Sequence, residues 1–75
     1  MLARDTVRRL VNERVVVHTR DDRSVRGVLV AAPAGWLVLR APEYLSDARS
    51  TEMPGEVWIE RANLSWLHRV GEELA

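Results

Sequence analysis

The sequence predicts a mainly β fold: an N-terminal α-helix followed by five strands that curl into a small, strongly bent barrel. Three features predict it. The apolar period changes at Glu13, from the three-and-four spacing of a helix to the alternation of a strand. Gly27 lies inside the most apolar strand, where the missing side chain permits tight curvature. Pro33-Ala34-Gly35 then reverses the chain into a second apolar run starting at Trp36, and a proline cannot donate to a central ladder.

The helix spans residues 2–12. Ala3, Val7, Leu10 and Val11 form one stripe, and Arg4, Arg8 and Arg9 occupy the other faces. Asp5 suits the start of the helix dipole, and Asn12 is a stop. Such a helix is marginal alone in water, so it is expected to lie over the open end of the barrel, which occupies residues 13–70. In the first strand, 13–20, Val15, Val17 and Thr19 alternate with Val16, His18 and Arg20. His18 reads as an exposed or partly covered imidazole, because no general-acid partner shares its local motif. Asp21-Asp22-Arg23 is a polar turn.

The second strand, 24–32, is apolar on both sides beyond Gly27, as expected where each face is covered. The third strand, 36–40, opens with Trp36 beside the turn. There the indole either caps the barrel end or offers a face on which a nucleobase stacks. Residues 41–54, bracketed by Pro42 and Pro54, carry no sustained period and read as a long loop, with Tyr44, Leu45 and Met53 covering the barrel or touching a neighbour. The fourth strand, 55–60, and the fifth, 64–70, are separated only by Arg61-Ala62-Asn63, which forces a sharp corner. Residues 71–75 form a short acidic tail. An apolar last strand left unpaired would invite uncontrolled pairing, so it should close the barrel or join another subunit.

With 75 residues the chain makes one domain of limited burial, and without cysteine it has neither disulfides nor a thiolate metal site to stiffen it. His18 and His68 alone are too few ligands for a structural metal, and no cofactor is implied. Small scaffolds without such staples tend to self-associate. Eleven basic residues, all arginine and scattered, balance eleven acidic ones, so nothing draws a polyanion from a distance. The longest apolar stretch is far below the ~20 residues that cross a bilayer, and the charged N-terminus lacks a secretory core. A cytoplasmic protein without a membrane partner is expected. No nucleophile elbow, phosphate loop or metal-ligand spacing is present, so no catalytic residue is assigned and the chain is not read as an enzyme.

The run from Val15 to Leu29, with its alternating valines, acidic turn and Gly27, continues after a turn into Trp36-Leu37-Val38-Leu39. It resembles the first signature of the Sm-like family (LSm and Hfq types), small SH3-like β-barrels. Residues Gly55 to Leu67, G-E-V-W-I-E-R-A-N-L-S-W-L, resemble the second signature. The resemblance implies a cyclic homo-oligomer in which the fourth strand of one subunit pairs with the fifth of the next. It thereby places Val57, Trp58, Ile59, Leu64, Trp66 and Leu67 at the subunit interface. It also implies binding of single-stranded, uridine- or adenosine-rich RNA.

The chain departs from the pattern at the RNA pocket. Pro33-Ala34-Gly35-Trp36 lacks the family's aspartate and asparagine. Glu60 follows Ile59 where the family has arginine, and Arg61 is displaced by one residue, which in a strand turns a side chain to the other face. The residues left for RNA are Trp36 for stacking, Asn63 for a base edge and Arg61 for phosphate. The alternative is a structural or protein-interaction module of the same fold that has lost the pocket. Such a module, a phage or prophage assembly or adaptor protein for example, would bind a protein partner through loop 41–54 and its tryptophans, which are favoured interface anchors.

Overall fold

The computed structural model describes residues 7–46 and 49–70. The strands are β1 (Arg14–Thr19), β2 (Ser24–Ala31), β3 (Trp36–Ser46), β4 (Arg49–Glu52), β5 (Glu56–Glu60) and β6 (Leu64–Arg69), with a 3₁₀ turn, Arg61–Asn63, between the last two. All pairs are antiparallel, in the order β4-β3-β2-β1-β6. β5 also pairs with β3, from Trp36↔Glu60 to Arg40↔Glu56. β3 therefore carries β5 along its first half and β4 along its second. Among the described residues no ladder joins β5 to β6, and each keeps one edge without a strand beside it.

The bend is built where β2 crosses β3. Arg26 faces Glu43 whereas Val28 faces Arg40, so β3 has an extra residue opposite Gly27. Ala41 absorbs it in the left-handed region, with φ 52°. A Cβ at Gly27 would lie 3.0 Å from the Arg40 carbonyl oxygen and 3.3 Å from the Leu39 Cβ, so the strands approach this closely only because the residue is glycine. Curling brings the inner faces together over Val15, Val17, Val25, Leu29, Leu37, Leu39, Ile59 and Leu67, with Val7 packed on the same cluster.

The structure corrects two sequence expectations. Among the described residues, 41–46 and 49–52 are strand and not loop: Glu43–Ser46 pairs with Arg49–Glu52, which makes six strands instead of five. Periodicity missed β4 because all four of its residues are exposed, so it has no apolar face to alternate. Pro42, read as the start of a loop, is fully buried at the β3 bulge, a position where a strand tolerates a missing N–H. Of the helix expected over residues 2–12, residues 2–6 lie outside the described residues. Val7 and Arg8 are helical. Leu10 N–H then donates to the Val7 carbonyl at 3.0 Å and Val11 N–H to Arg8 at 3.2 Å, a tightened turn that Asn12 ends with φ 75°. The tail, 71–75, is also outside the described residues. Among those described, no helix is long and apolar enough to cross a membrane.

Candidate nucleic-acid and subunit surfaces

The three-residue corner Arg61–Asn63 ties together two turns that are far apart in sequence. Arg61 N–H donates to the Gly35 carbonyl at 2.9 Å, and the Asn63 carbonyl accepts Arg20 N–H at 2.8 Å. Gly35, at φ 85°, supplies the reversal that lets Trp36 N–H close on the Pro33 carbonyl at 2.9 Å. The β2–β3 turn, the β1–β2 turn and the corner thus meet at one end of the sheet.

Two hollows flank the corner. The first, about 300 Å³, is lined by Trp36, Asn63, Tyr44, Trp58, Glu60 and the Asp21 turn. Trp36 stands 38% exposed, edge-on to Trp58 with ring centroids 6.0 Å apart. The Asp21 carboxylate accepts the Thr19 hydroxyl, and that bond, with the Arg23 charge and the Asn63 side chain behind it, holds its pKa below the ordinary carboxylate value against the opposing effect of burial. The second hollow, about 470 Å³, is lined by Arg61, Arg20, Leu64 and Trp66. Of the expected RNA contacts, Trp36 and Asn63 therefore share one hollow while Arg61 lines the other. Chain spacing could not reveal Tyr44 or Asp21 as lining residues, because they reach the hollow only once the sheet curls.

The six residues assigned to the subunit interface separate by face. Ile59 and Leu67 are 6% and 8% exposed and belong to the protomer's own core, with Val57 and Leu64 packed against it. Trp58 and Trp66 face outward at 55% and 52% exposed. Trp66 is held in place: β1–β6 pairing sets it opposite His18, and the rings stack at 4.1 Å, with His68 at 5.0 Å from Trp66 and 5.5 Å from His18. His18 Nδ1 bonds Ser24 Oγ at 2.9 Å, while its buried Nε2 lacks a hydrogen-bond partner. Burial, and after it the His68 charge, lowers the His18 pKa from 6.5. His18 is expected from the sequence to be exposed or partly covered on the side of Val16 and Arg20, but nothing near it in the chain signals the stack, which depends on a strand some fifty residues away.

No family model matches the sequence, and no curated protein matches it significantly. Solved structures do match its fold. The P. aerophilum SmAP1 heptamer superposes with a TM-score of 0.81 at 21% identity, covering 96% of this chain and 100% of that one. A Pyrococcus abyssii Sm protein in complex with a uridine heptamer gives 0.81 at 20% identity, covering 93% and 100%. A chain of the NatC complex bound to CoA gives 0.70 at 25% identity, covering 89% and 83%. Six antiparallel strands bent at Gly27, two open edges across a three-residue corner and these superpositions together show that the chain has the Sm-like fold.

Proposed function

We propose that the chain assembles head to tail into a cyclic homo-oligomer through β5 and β6 and binds single-stranded RNA at the end of the sheet where the turns meet. The observation that carries this reading is the pair of unpartnered edges: β5 and β6 are adjacent in sequence, yet the corner Arg61–Asn63 turns them apart instead of pairing them. Their unpaired backbone groups are a template for another chain, and a heterologous contact that closes on itself satisfies all of them. The fold is shared with the SmAP1 heptamer and with a Pyrococcus abyssii Sm protein in complex with a uridine heptamer.

At that end Trp36 provides the stacking face, Asn63 a base-edge donor and acceptor, and Arg61 and Arg20 the positive charge. Sedimentation of the purified protein reports assembly. RNA binding is tested by titrating short poly-U and poly-A at low and moderate salt. The expected result is salt-sensitive binding by the oligomer, weakened ~10-fold by Trp36→Ala, the scale of one base stacked on an aromatic ring. An oligomer that binds neither RNA at low salt would refute the RNA assignment.

A second reading, a protein-binding module of the same fold, is favoured by the carboxylates of Asp21 and Glu60 in the Trp36 hollow, which repel phosphate, and by the formal net charge of zero. Its likeness to a chain of the NatC complex supports the same reading. Recovery of one stoichiometric protein with the oligomer from its host, without nucleic acid, distinguishes it.

A further inference from the structure

The exposed tryptophans of β5 and β6 stand in different charge surroundings. β5 reads Glu56-Val57-Trp58-Ile59-Glu60, with its core side at Val57 and Ile59 and its outer side at Glu56, Trp58 and Glu60. β6 turns Leu67 to the core and leaves Trp66 and His68 on the outer side with Arg69 exposed at its end. The outer face of β5 thus sets two carboxylates around its indole, and the outer face of β6 sets none. Each indole is also held by another ring before any partner arrives, Trp58 by Trp36 and Trp66 by His18 and His68. Side chains already fixed lose little freedom on docking.

We infer that Trp58 of one copy packs against Trp66 and His68 of the next, forming an aromatic seam on the outer face of the joined sheet, where the carboxylates of β5 meet a β6 face that carries none. The inference rests on the strand-paired assembly proposed above and specifies its sidedness and polarity. Sidedness follows from the core: a register in which Trp58 met the inner face of β6 would turn Ile59 or Leu67 out of its own core. With the sheet continuous, outer-face residues on neighbouring strands stand ~5–8 Å apart at Cβ, within reach of an indole. Glu56 and Glu60, two residues either side of Trp58, then share that outer face with His68, whereas Arg69, opposite Val15 in the β1–β6 ladder, is on the same side of β6 as Leu67. Two β5 edges brought together would instead set carboxylates against each other, which disfavours a symmetric β5–β5 pair.

Sedimentation velocity over a concentration series tests the seam, with far-UV circular dichroism melts to confirm folding. Trp58→Ala and Trp66→Ala are each expected to weaken assembly by ~30-fold, the weight of a tryptophan hot spot. Mixing the two variants is expected to restore one native contact, because the Trp66→Ala chain supplies Trp58 and the Trp58→Ala chain supplies Trp66, giving a two-chain species that neither forms alone. If Trp66→Ala fails to fold, His68→Glu probes the same outer face at an exposed position, where it sets a further carboxylate against Glu56 and Glu60, and is expected to weaken assembly. A wild-type oligomer unaffected by these variants, or variants that dissociate but do not complement each other, would overturn the seam while leaving the assembly standing. A wild-type chain that stays monomeric at high concentration overturns the assembly reading and the seam with it.

Discussion

Gly27→Ala measures directly how much of the fold depends on the close crossing of β2 and β3. Gly27 is buried, and an added Cβ would sit 3.0 Å from the Arg40 carbonyl oxygen, 3.3 Å from the Leu39 Cβ and 3.5 Å from the Pro42 Cα. Two of these three neighbours are backbone atoms of a strand already kinked at Ala41, so relief requires moving β3 instead of rotating a side chain. Overpacking of this kind costs about 1–3 kcal/mol. Replacing glycine also restricts the unfolded chain, which returns about 0.4–1 kcal/mol. The net expectation is a loss of about 1–2 kcal/mol, and each kcal/mol lowers Tm by ~4–8 °C in a domain of this size.

Urea titration at two protein concentrations separates this loss from any change in assembly, since only the latter alters how the midpoint moves with concentration. Gly35 serves as the contrast. Nothing lies within 4 Å of its missing Cβ, but its φ is 85°. Gly35→Asn should therefore be milder than Gly35→Ala, because asparagine tolerates the left-handed region, whereas Gly27→Asn should be worse than Gly27→Ala. An unchanged or raised midpoint for Gly27→Ala would show that β3 yields easily and that the bend does not depend on glycine.

Two further outcomes follow from side chains on the outer face. His18 binds its proton less readily folded than unfolded, so the unfolded chain takes up more protons as pH falls and stability rises with pH. The contribution is complete above the imidazole's ordinary value of 6.5 and is lost as pH falls below it through the depressed value. His18→Gln should flatten the stability profile below pH 6.5, and an unaltered slope would remove His18 as its source. Arg26 Nε and Nη2 both lie 2.8 Å from Glu43 Oε1 across the β2–β3 pair, with both side chains partly exposed. A double-mutant cycle with Arg26→Met and Glu43→Gln should give a coupling of about 0.5–1 kcal/mol that declines with salt, and a coupling of zero would mean the pair adds nothing to the crossing.

The tryptophans separate what was legible from what was not. Trp36 was placed beside the β2–β3 turn, and Trp58 and Trp66 on the two strands flanking the corner, because each location follows from the alternation around it. Asn63 was legible as a corner residue for the same reason. That Trp36 and Asn63 share a hollow while Arg61 lines another was not, because the corner turns successive side chains to different sides.

The sequence by itself determined the strands that have a buried face, the kink at Gly27, the reversal at Pro33-Ala34-Gly35 and the tight corner before β6, all consequences of a residue's own conformational limits and of its nearest neighbours along the chain. Tertiary structure alone decided the β3–β4 hairpin, the stacking of His18 on Trp66 and His68, and the opening between β5 and β6. Those features depend on which distant strands become neighbours. An exposed strand has no burial pattern to betray it, and a cross-strand stack exists only once the register between two remote segments is set.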